Sequence, residues 1–252
     1  MALCIVLSSS AALAWSIPAM NTQIDQTNFL VNNGCSGTLI DKDNGYILTA
    51  NHCIRDQYEV VEHDKIADDG KVTKEKIRVA RPGTVSQILF SGPSEIQRNS
   101  YVFKIRATDS ALDLALLAVQ TKLNGEASLF ACDDLRRGDV VFAVGNSFGV
   151  LYSTVTIGIV SSLQRSYRDL NLAGELGDLT DNGEHGLVQH SSPIAPGNSG
   201  GALYDDGGTL VGVNVRGQPG GFGFSVPLSD IKKFLKDNGA GGIAALTHCD
   251  AK

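Results

Sequence analysis

An all-β fold in two halves, closed by one C-terminal α-helix, is predicted by three features of this sequence. The 252 residues include 28 glycines, and many glycines among short apolar runs mark a domain full of tight turns. Those runs recur along almost the whole chain, bounded by turn residues. Only one stretch, near the end, spaces its apolar residues helically. The length allows one large domain or two small ones. With 42% hydrophobic and 19% charged residues, the chain can bury a sizeable core, and extensive disorder is excluded.

Met1 to Leu13 is apolar and small and runs into Ala12-Leu13-Ala14. That A-x-A pattern predicts a signal peptide over 1–14 and a mature start near Trp15, although no Lys or Arg precedes the run. The run is shorter than the roughly 20 residues a membrane helix needs, and no other stretch is long enough. Integral membrane association is therefore not expected.

Ser36–Ile40 and Tyr46–Ala50 flank Asp41-Lys42-Asp43-Asn44-Gly45, which reads as a hairpin turned by its Asn-Gly pair. Further strand-like runs lie at Tyr58–Val61, Ile77–Ala80, Val85–Phe90, Tyr101–Ile105 and Leu112–Val119. Glu62–Arg78 mixes both signs of charge and reads as a solvated hairpin or loop. Gln120–Gly138 is polar and turn-rich, a linker between halves. A second series follows at Asp139–Gly145, Ser153–Leu163, Gly186–Gln189, Gly201–Tyr204, Leu210–Val215 and Phe222–Val226. Ser229–Lys236 is helical in its spacing, with Ser229 as the expected cap and Asn238-Gly239 as the stop. The expected boundaries are about 26–120 for the first half, 121–137 for the linker, 138–227 for the second half and 229–238 for the helix, all within one domain over 15–252.

Of five cysteines, Cys4 would leave with the signal. Cys35, Cys53, Cys132 and Cys249 remain, an even number that suits two disulfides in an oxidising compartment, secreted or periplasmic. Three pairings are open. No C-x-x-C occurs, so no metal is expected, nor is any cofactor. Lys and Arg total 21 against 27 Asp and Glu, a net charge of −6. That balance argues against a nucleic-acid partner.

Three segments carry chemistry. Leu48-Thr49-Ala50-Asn51-His52-Cys53 places a histidine where an apolar strand breaks off. Ala111-Leu112-Asp113-Leu114-Ala115-Leu116-Leu117 holds one carboxylate inside an apolar run. Buried without a partner it would cost several kcal/mol, so it should have one; taken alone it also reads as a turn residue before a strand. Pro196-Gly197-Asn198-Ser199-Gly200-Gly201 can turn sharply and expose a serine together with neighbouring amides. The three ask for one mechanism. A serine needs a base, a neutral imidazole supplies it, and a buried carboxylate orients the imidazole. The amides of Gly197 and Ser199 are candidates for the oxyanion hole.

The order His52, Asp113, Ser199, in T-A-N-H-C, D-L-A-L-L and P-G-N-S-G-G, resembles the chymotrypsin-fold serine endopeptidases, and within them the HtrA/Deg type. Val140–Gly149, Leu210–Asn214 and Gly223–Pro227 are also similar to that branch. The resemblance covers roughly 34–234. It implies two six-stranded antiparallel β-barrels with the active site in the cleft between them. It implies a Cys35–Cys53 disulfide, which leaves Cys132 and Cys249 as the second pair. It implies protein or peptide substrates held by Pro193, Ile194, Asn214, Val215, Arg216 and Phe224. Pro193 stands where trypsin-like relatives place an acid, so a small or medium aliphatic residue is expected before the cut bond. Arg216 could narrow the pocket, attract an acidic residue or face outward. Asn198 replaces the Asp that receives a freed terminal amine in zymogen-activated relatives, so activity is expected without that cleavage. The PDZ domain usual in the branch is not expected after the helix. Arg165–His185 is a polar loop of net charge −3 that either shapes the cleft or is simply solvated. His63, His185 and His248 are less apt bases, and His190 could line the pocket. Two other functions fit less well: a protease-shaped binding protein that no longer cuts, which has no need of all three groups, and an esterase, which the chain order of the triad disfavours.

Overall fold

The computed structural model describes residues 17–68, 70–92, 95–166, 170 and 186–243. The expected signal segment, Cys4, Cys249, His185, His248 and most of the Arg165–His185 loop lie outside the described residues. A helix that the sequence reading did not anticipate, α1 (Ile17–Thr27), leads into the first barrel.

That barrel is closed by β1 (Asn28–Val31), β2 (Cys35–Asp41), β3 (Tyr46–Ala50), β6 (Gly83–Gly92), β7 (Glu95–Asp109) and β8 (Leu114–Val119), in the order β1-β2-β3-β8-β7-β6. The second is closed by β9 (Val140–Ser147), β10 (Leu151–Ser166), β11 (Gly186–His190), β12 (Ala202–Asp205), β13 (Leu210–Gln218) and β14 (Phe222–Pro227), in the order β10-β11-β14-β13-β12-β9. All pairings within both barrels are antiparallel. The all-β, two-barrel class with a C-terminal helix is therefore the observed one. Among the described residues no helix is long and apolar enough to cross a membrane.

The strand period of two explains why β8 reads as a continuous apolar run. Ala115, Leu117 and Val119 fill the first barrel with Phe29, Leu39, Ile47 and Phe103. Leu114 and Leu116 point the other way, into a second cluster that holds Leu48, Ala50, Val144, Val213 and Phe234. Both faces of β8 are thus buried, one inside a barrel and one between barrels. The linker is pinned to the second barrel by a Phe130–Leu210 bridge, and Phe130 is fully buried.

Three local expectations are corrected. The β2–β3 turn is built by Asp41, whose Oδ1 accepts from the amides of Asp43 and Asn44, both at 3.0 Å. Gly45 alone takes a positive φ of 63°, so an Asx turn replaces the Asn-Gly turn. The strand expected from Leu112 begins at Leu114, because Ala111–Asp113 form a turn. The terminal helix, α2 (Leu228–Asp237), starts one residue before Ser229, with Pro227 at the N-cap and no side-chain cap. Its end does fall at Asn238-Gly239, where Gly239 has φ of 74°.

After β3 a 3₁₀ segment (Asn51–Gln57) leads to an exposed two-stranded ribbon, β4 (Tyr58–Ile66) with β5 (Val72–Ala80). This is the charged stretch read as a solvated hairpin.

Cys35, at the start of β2, is disulfide-bonded to Cys53 in the 3₁₀ segment, 18 residues away. Closing a loop of that size contributes about 3 kcal/mol through the unfolded chain. Replacing both cysteines by serine should lower the unfolding free energy by about that amount in a urea melt. An unchanged midpoint would show that the bond adds nothing.

Candidate active site

Strand pairing brings the histidine and the carboxylate together. The β3–β8 ladder ends at Ala50 opposite Leu114, so the next residues on one strand and the preceding ones on the other emerge at the same rim. The Asn51 amide donates to the Asp113 carbonyl at 2.9 Å. The Asp113 carboxylate accepts twice from His52: Oδ1 from the amide at 2.9 Å, and Oδ2 from ring Nδ1 at 2.7 Å. Asp113 is 2% exposed and has φ of 56°, a left-handed conformation that Asp tolerates better than most residues. It is a turn residue before a strand and the partner of His52 at once. With Nδ1 donating to the carboxylate, Nε2 is left as the basic nitrogen.

The loop between β11 and β12 carries Ser199, and the first barrel holds it. The Ser36 amide donates to the Ser199 carbonyl at 2.8 Å, and Ser36 Oγ donates to the Gly197 carbonyl at 2.8 Å. The Cys53 sulfur lies 3.7 Å from the Ser199 carbonyl oxygen. In the disulfide it carries no hydrogen, so this is a packing contact. Sulfur atoms of Cys35 and Cys53 also lie within 4.8 Å of a His52 ring nitrogen, but both are spent in the disulfide and do not form a metal site. Ser199 Oγ donates to the Val215 carbonyl at 3.3 Å, and no hydrogen bond joins it to His52. Catalytic hydrogen bonds are often open in the unliganded state and tighten with substrate.

Two amides of the serine loop, those of Gly197 and Ser199, are unspent among the described residues. The Asn198 amide donates to the Ala195 carbonyl at 3.1 Å, closing a turn with Pro196 and Gly197 at its centre. Gly197 has φ of 95°, which type II geometry demands at that position. The Phe148 amide donates to the Pro196 carbonyl at 2.5 Å. In a trans peptide the N–H points opposite to the carbonyl, so the Gly197 N–H faces away from Phe148. Neither it nor the Ser199 N–H has an acceptor among the described residues. A Cβ on Gly197 would sit 2.3 Å from the Asn146 carbonyl oxygen, so only glycine fits.

Of the residues expected to read substrate, Asn214, Val215 and Arg216 lie on β13 and Phe224 on β14, while Pro193 and Ile194 lie between β11 and the serine turn. Ile194 packs against two glycines: a Cβ on Gly217 of β13 would lie 2.2 Å from its carbonyl oxygen, and one on Gly223 of β14 2.6 Å from its side chain. Pro193 is exposed, and its carbonyl accepts from Thr156 Oγ1 at 2.9 Å. Arg216 is half-buried opposite Phe224, and Phe224 is buried. Asn214 and Val215 are buried on β13, where the Asn214 carbonyl accepts from the Gly200 amide at 2.7 Å. Cys132 is disulfide-bonded. A cavity of about 260 Å³ adjoins the His52–Asp113 pair, lined also by Arg55, Tyr58, Arg78 and Thr108. The sequence reading missed Ser36 and Ser147. The resemblance of Val140–Gly149 gives no sign of its contacts to the serine loop.

Two barrels, with a histidine–carboxylate pair on one and a serine loop on the other, define the chymotrypsin class of fold. Residues 35–213 match the family model of the trypsin-like peptidase domain, and the chain belongs to that family. It is 33% identical over 203 residues to the periplasmic serine endoprotease DegP of Escherichia coli, covering 78% of this chain and 34% of that protein. It is 32% identical over 174 residues to serine protease HTRA1A of Danio rerio, covering 69% of this chain and 33% of that one. Among solved structures, HtrA-type protease AlgW with decapeptide is 28% identical with a TM-score of 0.58, over 82% of this chain and 52% of that one. The chain spans about a third of the length of the curated relatives it matches.

His190 is fully buried under this site and belongs to a polar chain. Ser225 Oγ donates to Asn214 Oδ1 at 2.9 Å, so the 3.1 Å contact between His190 Nε2 and Ser225 Oγ must be donated by the imidazole. Nδ1 is then the unprotonated nitrogen, with no hydrogen-bond partner among the described residues. Burial pushes the imidazole down from 6.5 to about 4. The unfolded chain takes up a proton below about 6.5 and the folded protein only near 4, so stability falls as pH drops through that window. At about 1.4 kcal/mol per pH unit, the loss attributable to His190 should approach 3 kcal/mol. Urea unfolding of wild type and His190→Gln at pH 7 and 4.5 checks this: the variant should lose less stability on acidification, and parallel losses would exclude His190 as the cause.

Proposed function

We propose that this chain is a serine endopeptidase of the HtrA type, with Ser199 as nucleophile, His52 as general base and Asp113 as the group that orients it. The supporting observation is the buried Asp113 carboxylate on His52 Nδ1 at 2.7 Å, facing a serine loop with two unspent amides. The Ser199 hydroxyl turns from the Val215 carbonyl to His52 when substrate occupies the cleft. Its oxygen attacks the peptide carbonyl carbon while its proton passes to His52 Nε2. The developing oxyanion is held by the amides of Gly197 and Ser199. His52 then protonates the leaving amine, the C–N bond breaks and an acyl-enzyme remains. Water attacks that ester, giving its proton to His52, which returns it to Ser199 as the acid departs.

Peptide or unfolded protein is the substrate class, a reading supported by the similar AlgW structures with a decapeptide and with a tripeptide. Ile194, with Pro193 in place of an acid, favours a small or medium aliphatic residue before the cut bond. The β13 edge at Val215 and Arg216 holds the substrate backbone. The Cys35–Cys53 disulfide and the periplasmic naming of DegP support an oxidising compartment, with Cys132 and Cys249 as the second pair.

A fluorophosphonate probe and casein test this reading. Wild type should be labelled and should cleave casein. Ser199→Ala should lose labelling and up to about 10⁶ in turnover. Asp113→Asn should keep the fold and lose about 10⁴ in kcat. Gly197→Ala should lose about 10²–10³ through the hole. A folded wild type that neither labels nor cuts would be a protease-shaped binding protein instead. Cleavage mapped chiefly after Lys or Arg would overturn the aliphatic preference.

A further inference from the structure

Asn198, one residue before Ser199, is 1% exposed, and its side chain is held from outside its own loop. Ser147, 4% exposed at the end of β9, donates its hydroxyl to Asn198 Oδ1 at 2.8 Å. The two neighbours of Ser147 reach the same loop. The Asn146 amide donates to Ser36 Oγ at 2.7 Å, and that hydroxyl holds the Gly197 carbonyl. The Phe148 amide holds the Pro196 carbonyl. Three successive residues at and just after the end of β9 thus hold three successive residues of the serine turn, Asn146 through Ser36, and both peptide planes flanking Gly197 are bonded. Phe148 adopts φ of 57° at this point. A bulky residue in the left-handed region is strained, and such strain persists where the surroundings over-determine it, commonly at functional sites.

We infer that Ser147 is a positioning residue for the oxyanion hole: its hydroxyl, acting through Asn198, is an uncharged latch that holds the Gly197 amide toward the cleft without a terminal amine. This rests on the reading of Ser199 as nucleophile. Without the hydroxyl, Asn198 Oδ1 is buried with no donor, and the loop gains a reason to rearrange toward water. Type I and type II turns differ by a flip of the central peptide, and that flip would turn the Gly197 N–H away from the oxyanion. The hole acts on the transition state, so the loss belongs in kcat and not in KM.

The test uses the full chain as wild type, Ser147→Ala and Ser147→Thr, with casein turnover, fluorophosphonate labelling rate and a thermal melt on each. Ser147→Ala should melt as one cooperative unit and lose about 10- to 100-fold in kcat and in labelling rate, with KM changed less than about twofold. Ser147→Thr, which keeps the hydroxyl, should recover most of the loss. If Ser147→Ala does not fold, Ser147→Cys, with its weaker donor, takes its place under the same thresholds. Full kcat in Ser147→Ala, or a loss confined to KM, overturns the latch. Wild type that neither labels nor cuts would instead defeat the protease reading itself.

Discussion

Ser36 is the contact on which the composite site depends. It lies on the first barrel, yet its amide holds the Ser199 carbonyl and its hydroxyl holds the Gly197 carbonyl while accepting the Asn146 amide. Its own carbonyl accepts from Thr49 Oγ1 at 2.7 Å, which ties it to β3 next to the histidine. One small residue is thereby bonded to the strand that precedes His52 and to the loop that carries Ser199. All of this is buried, where an unmet polar group is costly, so the arrangement has few alternatives.

Glycine makes that proximity possible. Gly200 has φ of 83°, and a Cβ there would sit 2.2 Å from the Ser36 carbonyl oxygen and 2.3 Å from Thr49 Oγ1. The cluster of glycines around Ser199 is thus a steric requirement of bringing two barrels within hydrogen-bond range. It is also a conformational requirement of the turn, which explains why so short a string carried so much information.

Much of this was legible in the sequence because it is local. The short apolar runs of β3 and β8, the lone carboxylate in one of them and the Gly-rich serine turn are all short-range patterns. Where the reading failed, local signals competed. Asp41 organised its turn before Asn44-Gly45 could, and Pro227 began the helix before Ser229. Helix α1 followed a segment read as a signal and passed unnoticed. Ser36 and Ser147 were illegible for a different reason. A serine in a strand is ordinary, and their meaning lies in contacts 161 and 51 residues away along the chain.

The β4–β5 ribbon stands apart from this economy of contacts. Its ends lie side by side, Tyr58 opposite Ala80, and almost every residue between them is exposed. Arg78 stacks over Tyr58 at 4.1 Å near the base, and the rest is supported mainly by its own ladder and by surface pairs such as Lys74 with Glu62. Closure entropy grows slowly with loop length, so the arm can be extended or trimmed in steps of two residues per strand while each face keeps its identity. Its far end, beyond the Ile66–Val72 pair, is accordingly a natural splice point, where a foreign epitope or recognition tag could be carried without disturbing either barrel.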